Sequence, residues 1–220
     1  MPALSALAQD GFVPRDTWPF LYDNFQAGAV RTLDGQLIEN GNFNISVADG
    51  ALYYIGGDGV IMKSDMSRVY TAGLGEGVYV NYQGRMYQVL SELDCGNVLL
   101  GKEIDVDQQN KASIGYGISS STASVQGLTI NMAGRFDLTN KSIQQIEQNK
   151  PEGKVLPIKE TTYLQIGIRM IPASRQEVLG VPGVDKKAAN AFFKQEKIKW
   201  KETASLEKVL VFLKSQLTQN

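Results

Sequence analysis

Asn42-Phe43-Asn44-Ile45-Ser46-Val47 alternates polar and apolar residues without a break. A side-chain period of two is that of a β-strand, and it sets Phe43, Ile45 and Val47 on one buried face while the other stays wet. Turn signals bracket this stretch: Asn40-Gly41 before it and Asp49-Gly50 after it. Such pairs favour tight hairpins because both central residues tolerate positive φ. Working outward, Asp34-Gly35, Gly56-Gly57-Asp58-Gly59, Gly75-Glu76-Gly77, Gln83-Gly84 and Cys95-Gly96 continue the series. Their spacing, mostly about 6–12 residues, is the rhythm of an antiparallel all-β body. The intervening stretches have strand composition: Gly28–Leu33, Ala51–Ile55, Val60–Lys63, Arg68–Ala72, Val78–Tyr82, Arg85–Leu93 and Asn97–Glu103. Sequential antiparallel pairing is expected, as a meander, a barrel or a sandwich.

Beyond this body the signals change. Ser113–Gly127 is rich in Ser and Gly and reads as a loop, with a strand expected at Leu128–Met132. Phe136–Asn149 reads as a helix capped by Asp137 or Thr139, with Ile143 and Ile146 on one face. Lys154–Ile158 and Thr161–Ile171 return to strand composition. The tail is helical. Ser174 and Glu177 form a capping-box pattern, Pro182-Gly183 breaks the first short helix, and Asp185 caps a second running to about Lys197. A third spans Ser205 to about Gln219, with Leu206, Val209, Leu210, Leu213 and Leu217 at helical spacing. The expected layout is a β-rich domain over 9–171 and a helical C-terminal subdomain over 172–220 packed on it. The class is mainly β, and α+β overall.

With 43% hydrophobic and 20% charged residues the chain can build a core. A net charge of −1 points to neither nucleic acid nor an anionic membrane. The chain contains no histidine, which excludes a Ser-His-Asp triad, a Cys-His dyad and a His-based metal site. Its lone cysteine, Cys95, has no internal partner for a disulfide. Asp105-Val106-Asp107 offers two oxygen ligands, short of a calcium loop. No metal ligand, cofactor or catalytic residue is assigned, and a carboxylate-based hydrolase has only an exported setting in its favour. That setting is read from Ala6-Leu7-Ala8 before Gln9, which has the small-x-small form of a signal-peptidase site, so 1–8 is expected to be the remnant of an export signal. Cysteine poverty then favours a periplasm or bacterial cell surface.

Two groups of residues stand out for binding. Trp18, Phe20 and Tyr22 precede the first strand. Exposed, they would stack on a glycan or a protein partner; buried, they would plug one end of the body. In the tail, Gly183, Lys186 and Lys187 lie in Glu177-Val178-Leu179-Gly180-Val181-Pro182-Gly183-Val184-Asp185-Lys186-Lys187. This segment resembles the helix-hairpin-helix motif, and with Ile198-Lys199-Trp200 and Ser205-Leu206-Glu207 it is similar to exported DNA-uptake receptors of that type. The resemblance implies contact with nucleic-acid backbone. Asp185, however, stands where the motif carries its second glycine, and it serves better as a helix cap. The whole chain also resembles a set of exported β-rich proteins of Gram-negative anaerobes. That likeness rests on Trp18-Pro19-Phe20-Leu21-Tyr22, Phe25-Gln26-Ala27-Gly28-Ala29-Val30, Asp34-Gly35 and Asn44 and, in the tail, Phe192-Phe193-Lys194 through Lys197-Ile198-Lys199-Trp200 to Leu206. It implies no catalytic residue. The leading expectation is an exported, non-catalytic binding or scaffold module with an unknown protein or glycan partner; the alternative is nucleic-acid backbone binding by the tail.

Overall fold

The computed structural model describes residues 12–113 and 136–218. The 1–8 segment, the Ser/Gly-rich stretch beyond Ser113 and the expected strand at Leu128–Met132 lie outside them. Among the described residues ten strands dominate, and the fold is mainly β with a few short helices. In chain order the first eight are β1 (Gln26–Thr32), β2 (Leu37–Ile45), β3 (Leu52–Ile55), β4 (Ile61–Lys63), β5 (Val69–Leu74), β6 (Gly77–Tyr82), β7 (Arg85–Leu93) and β8 (Gly96–Ile104). The helices α1 (Val106–Ser113) and α2 (Ile143–Asn149) precede β9 (Ile158–Ile166) and β10 (Arg169–Pro172). The tail holds α3 (Arg175–Leu179), α4 (Lys186–Gln195) and α5 (Thr203–Thr218). Hydrogen bonding runs in the order β10-β9-β8-β7-β6-β5-β1-β2-β3-β4, so the meander is realised with one interruption, and among the described residues the ladder is an open sheet, not a closed barrel.

That interruption shapes the first of two compact units, formed by the described residues of 12–87 and 102–159. β5 does not pair with β4, its predecessor, but with β1 on the far side of β2 and β3. Laid flat, β4 and β5 would stand about 19 Å apart, four strand spacings. Only residues 64–68 join them, and that link folds into a turn closed by the Arg68 N–H on the Asp65 carbonyl at 3.0 Å. A turned five-residue link falls well short of the roughly 20 Å reach of an extended one. The β5-β1-β2-β3-β4 strands must therefore curl, with 64–68 as the chord. Asn81 holds the chord in place: its side-chain amide donates to the carbonyls of Met66 and Val69, both at 2.7 Å. Inside the curl Val30, Phe43, Ile45, Leu52, Val69, Leu74 and Tyr79 form a buried cluster, as the alternation predicts for Phe43 and Ile45. The face expected to stay wet is buried too, with Asn44 and Ser46 0% and 3% exposed, because the Phe20–Asn24 segment bonds to it.

Several expectations are corrected here. Asn40-Gly41 makes no hairpin but a bulge inside β2, where the β1–β2 register slips between Gly28 and Val30 and Asn40 takes φ 60°. The helix expected from Phe136 starts at Ile143 with Ser142 as its N-cap. The Asp137 carboxylate closes a local turn on the Thr139 N–H instead, and Asn140 at φ 65° breaks any earlier helical run. Asn140 and Lys141 then bond to both polar groups of Ile61, covering the outer edge of β4. The single strand expected over Thr161–Ile171 is a hairpin, β9–β10, turned at Gly167 with φ 56°. Lys154–Ile158 contributes only an isolated bridge from Val155 to Arg15 before β9 begins. Helix α1 has no counterpart in the sequence reading; Asp105 starts it by accepting the Gln108 N–H at 3.0 Å.

The second unit comprises 88–101 and 160–218, so the expected boundary at 171/172 runs through it. Its core joins Val98 and Leu164 from the strands to Val178, Ala189, Leu206, Val209, Leu210 and Leu213 from the helices. Each fully buried Val or Leu side chain among these contributes about 1.5–3 kcal/mol. Ser174 and Asp185 cap α3 and α4 as expected. Lys197 at φ 49° lies just past the end of α4. Gly96 is required where it stands, because it adopts φ 149° and a Cβ there would overlap the Gln165 carbonyl. Among the described residues no helix is long and apolar enough to cross a membrane.

Candidate binding cleft

The curl leaves a half-open cleft of about 460 Å³ between its inner face and the chord. Val30, Phe43 and Val69, all nearly fully buried, form its floor, and Ile38, Tyr54 and Ile55 its walls. The Phe43 ring packs directly over residue 41, which must be glycine, because a Cβ there would overlap it. The bulge at Asn40 thus does two things: it lets the chain bend and it seats Gly41 beneath the Phe43 ring.

Polar groups gather at the rim. Buried Thr32 directs its hydroxyl to the Asp34 carboxylate. That bond, ahead of the smaller effect of Arg68, holds the Asp34 carboxyl below its ordinary range. Asp65 is likewise lowered, first by the Ser67 hydroxyl at 2.6 Å and then by the Ser67 N–H at 3.1 Å on the same oxygen. Arg68 is the one cation among the lining residues. Among the described residues its ion pair is long, 3.5 Å to the Asp34 carboxylate, with both side chains mostly in solvent. Such a pair contributes little, so the guanidinium keeps donors for an incoming acceptor.

The structure puts the residues singled out in the sequence elsewhere. Trp18 and Phe20 are 0% and 1% exposed and pack edge-to-face with each other and with Phe25. Neither presents a face to a glycan. The Trp18 indole N–H donates to the Tyr22 carbonyl at 2.9 Å, and the Lys150 ammonium stands 4.7 Å over the indole ring. Tyr22 is half-buried and shares a 2.5 Å hydrogen bond with the Tyr79 hydroxyl. Burial raises the pKa of both phenols. These residues are tied to β2 through Asn44, fully buried, whose side chain accepts the Tyr22 N–H and donates to the carbonyls of Tyr22 and Asn24. The aromatic trio is thus an internal plug of the first unit.

In the tail, Gly183 takes φ 93°, and Lys186 and Lys187 open α4 with exposed side chains. The Asp185 carboxylate occupies the N-terminus of that helix, accepting the N–H groups of Lys187 at 2.8 Å and Ala188 at 3.3 Å. A phosphate approaching there would meet a carboxylate already holding the donors. Asp105, the other carboxylate considered as a ligand, is engaged in capping α1. No group of three or more acidic, Cys or His residues is placed to hold a metal ion among the described residues.

The cleft itself was not singled out in the sequence. Its floor residue Phe43 is legible as buried, but the cavity depends on β5 returning to β1, and no local pattern encodes that return. Comparison with protein-family models, with curated proteins and with solved structures finds no match.

Proposed function

We propose that the protein is an exported, non-catalytic binding module that engages its partner through the cleft of the curled sheet. The observation that carries this reading is the cleft: apolar floor and walls, a polar rim, and a volume of about 460 Å³ within the usual range of ligand sites. Its lining offers surface to hold a partner. Asp65 is satisfied by its own turn, and the hydroxyl of Thr32 is committed to Asp34. Export is supported by Ala6-Leu7-Ala8 ahead of Gln9 and by the resemblance to exported proteins.

An environment-sensitive apolar dye tests the cleft. The dye should brighten on binding, and Ile38→Asp should weaken binding about tenfold, because a charge would then line an apolar wall. Ile38 is half exposed, so the variant keeps its fold, which a thermal melt checks. Dye binding that ignores Ile38→Asp, or no binding at all, would sink the reading. Mass measurement of the native mature protein tests export separately: an N-terminus at Gln9 supports it, and one upstream overturns it.

A further inference from the structure

Among the described residues, β2 is flanked on both sides for only part of its length. It pairs with β3 from Phe43 to Ile45, whereas from Leu37 to Asn42 its only ladder partner is β1. The second edge of that segment is open, and the side chains there project into solvent: Leu37 and Ile38 are 49% and 50% exposed, and Glu39 and Asn40 are exposed as well. Ile38 and Gly41 on this open stretch also line the apolar cleft. An open strand edge and an apolar cavity therefore share the same residues. Backbone donors and acceptors along a strand edge are complementary to another strand, and alternate side chains of an added strand point to one face.

We propose, resting on the reading of the cleft as a binding site, that its partner is an extended peptide that adds as a strand to the Leu37–Asn42 edge. One apolar side chain of the peptide enters the cleft over Val30 and Phe43. A carboxylate two residues away, on the same face, meets Arg68, the cation at the rim, whose ion pair with Asp34 is long and exposed. Strand addition of this kind draws affinity from the main chain and selectivity from alternate side-chain pockets. A second copy of this chain is a poorer occupant. Antiparallel self-pairing centred on Glu39 would bring Glu39 against Glu39, and like charges directly opposite are unfavourable. The bulge at Asn40 further limits the ladder open to an identical strand.

The test selects from a random peptide library displayed on phage, using the full chain as bait. The expected winners carry an apolar residue and an acidic residue two positions apart. Synthetic versions should lose about tenfold or more in affinity when their backbone is N-methylated at alternate positions, when the bait carries Ile38→Asp, and, for the acidic winners, when it carries Arg68→Gln. No enrichment over background overturns the proposal. So do winners that tolerate backbone methylation, or winners indifferent to both substitutions. A dimer seen by sedimentation and dissolved by Ile38→Asp would give the edge to a second copy and overturn it too. If the apolar dye binds in an Ile38-dependent manner while no peptide is selected, the cleft remains a binding site and only the peptide assignment fails.

Discussion

The two units solve the same problem with different chemistry. In the second, strands and helices meet over an almost purely aliphatic and aromatic core, and the helix caps Ser174 and Asp185 lie at the surface. In the first, the core is threaded by polar groups: Asn44, Ser46 and Thr32 are buried, Tyr22 bonds Tyr79, and Lys63 and Tyr53 converge on Asp49 at 2.8 and 3.1 Å. Helices satisfy their own backbone, so packing them needs little more than an apolar stripe. A curled sheet crossed by a chord leaves loop backbone inside, and buried N–H and C=O groups must find partners. Asn44 and Asn81 supply them, which ties the first unit together by specific bonds rather than by area alone.

Core truncations probe this difference most strongly. Trp18→Ala should destabilise by about 3–5 kcal/mol and Leu210→Ala by about 2–5 kcal/mol in denaturant unfolding. Native-state hydrogen exchange should localise the first loss to the sheet residues of 12–87 and the second to 88–101 and 160–218. Equal loss of protection everywhere in both variants would show that the two units open as one. A smaller effect belongs to the helical unit. Asp185→Ala should cost about 1 kcal/mol, the usual worth of an N-cap, and an unchanged melt would mean that Gln216, whose side chain accepts the Asp185 N–H, holds the α4 start by itself.

The pH response sharpens the comparison last. Burial works to raise the pKa of Asp49, but the Lys63 ammonium and the Ala51 N–H outweigh it and leave the carboxyl below its ordinary value. A depressed folded-state pKa stabilises fully above the unfolded value, near 4, and that contribution fades as pH falls through the depressed value. Asp34, Asp65 and Asp137 are lowered as well, and all of these lie in the first unit. The phenols of Tyr22 and Tyr79 act in the opposite direction. Their raised values stabilise fully below about pH 10 and lose effect as pH climbs toward them. Exchange protection of the first unit should therefore fall below about pH 4 and above about pH 10. Protection lost first in the helical tail at either extreme would contradict this.

Legibility in the sequence divides along the same line. The stripe from Leu206 to Leu213 and the caps at Ser174 and Asp185 announce the tail, because helical spacing and capping are local. The alternation at Phe43–Val47 announces a strand and its buried face. What stays hidden in the first unit is non-local. Asn40-Gly41 has the chemistry of a hairpin and becomes a bulge, because β2 continues past it to pair with β1. Trp18 and Phe20 read as a plug rather than a partner face from composition, but what fastens their segment, Asn44 more than twenty residues on, is not legible in it. The cleft is the extreme case: Val30, Ile38, Phe43, Tyr54 and Arg68 meet only because 64–68 spans the curl.

That short span also sets a timetable for the nascent chain. β1 is made well before the neighbour that covers its second edge: β5 ends at Leu74, more than forty residues later. At about 5–20 residues per second, β1 waits a few seconds beside β2 with one side uncovered. The local pairs β1–β2, β2–β3 and β3–β4 need no such delay, since their loops are short and cheap to close. During synthesis the first unit is therefore a four-stranded ribbon with β1 as an open edge, and the arrival of β5, which 64–68 carries back to β1, ends that vulnerability.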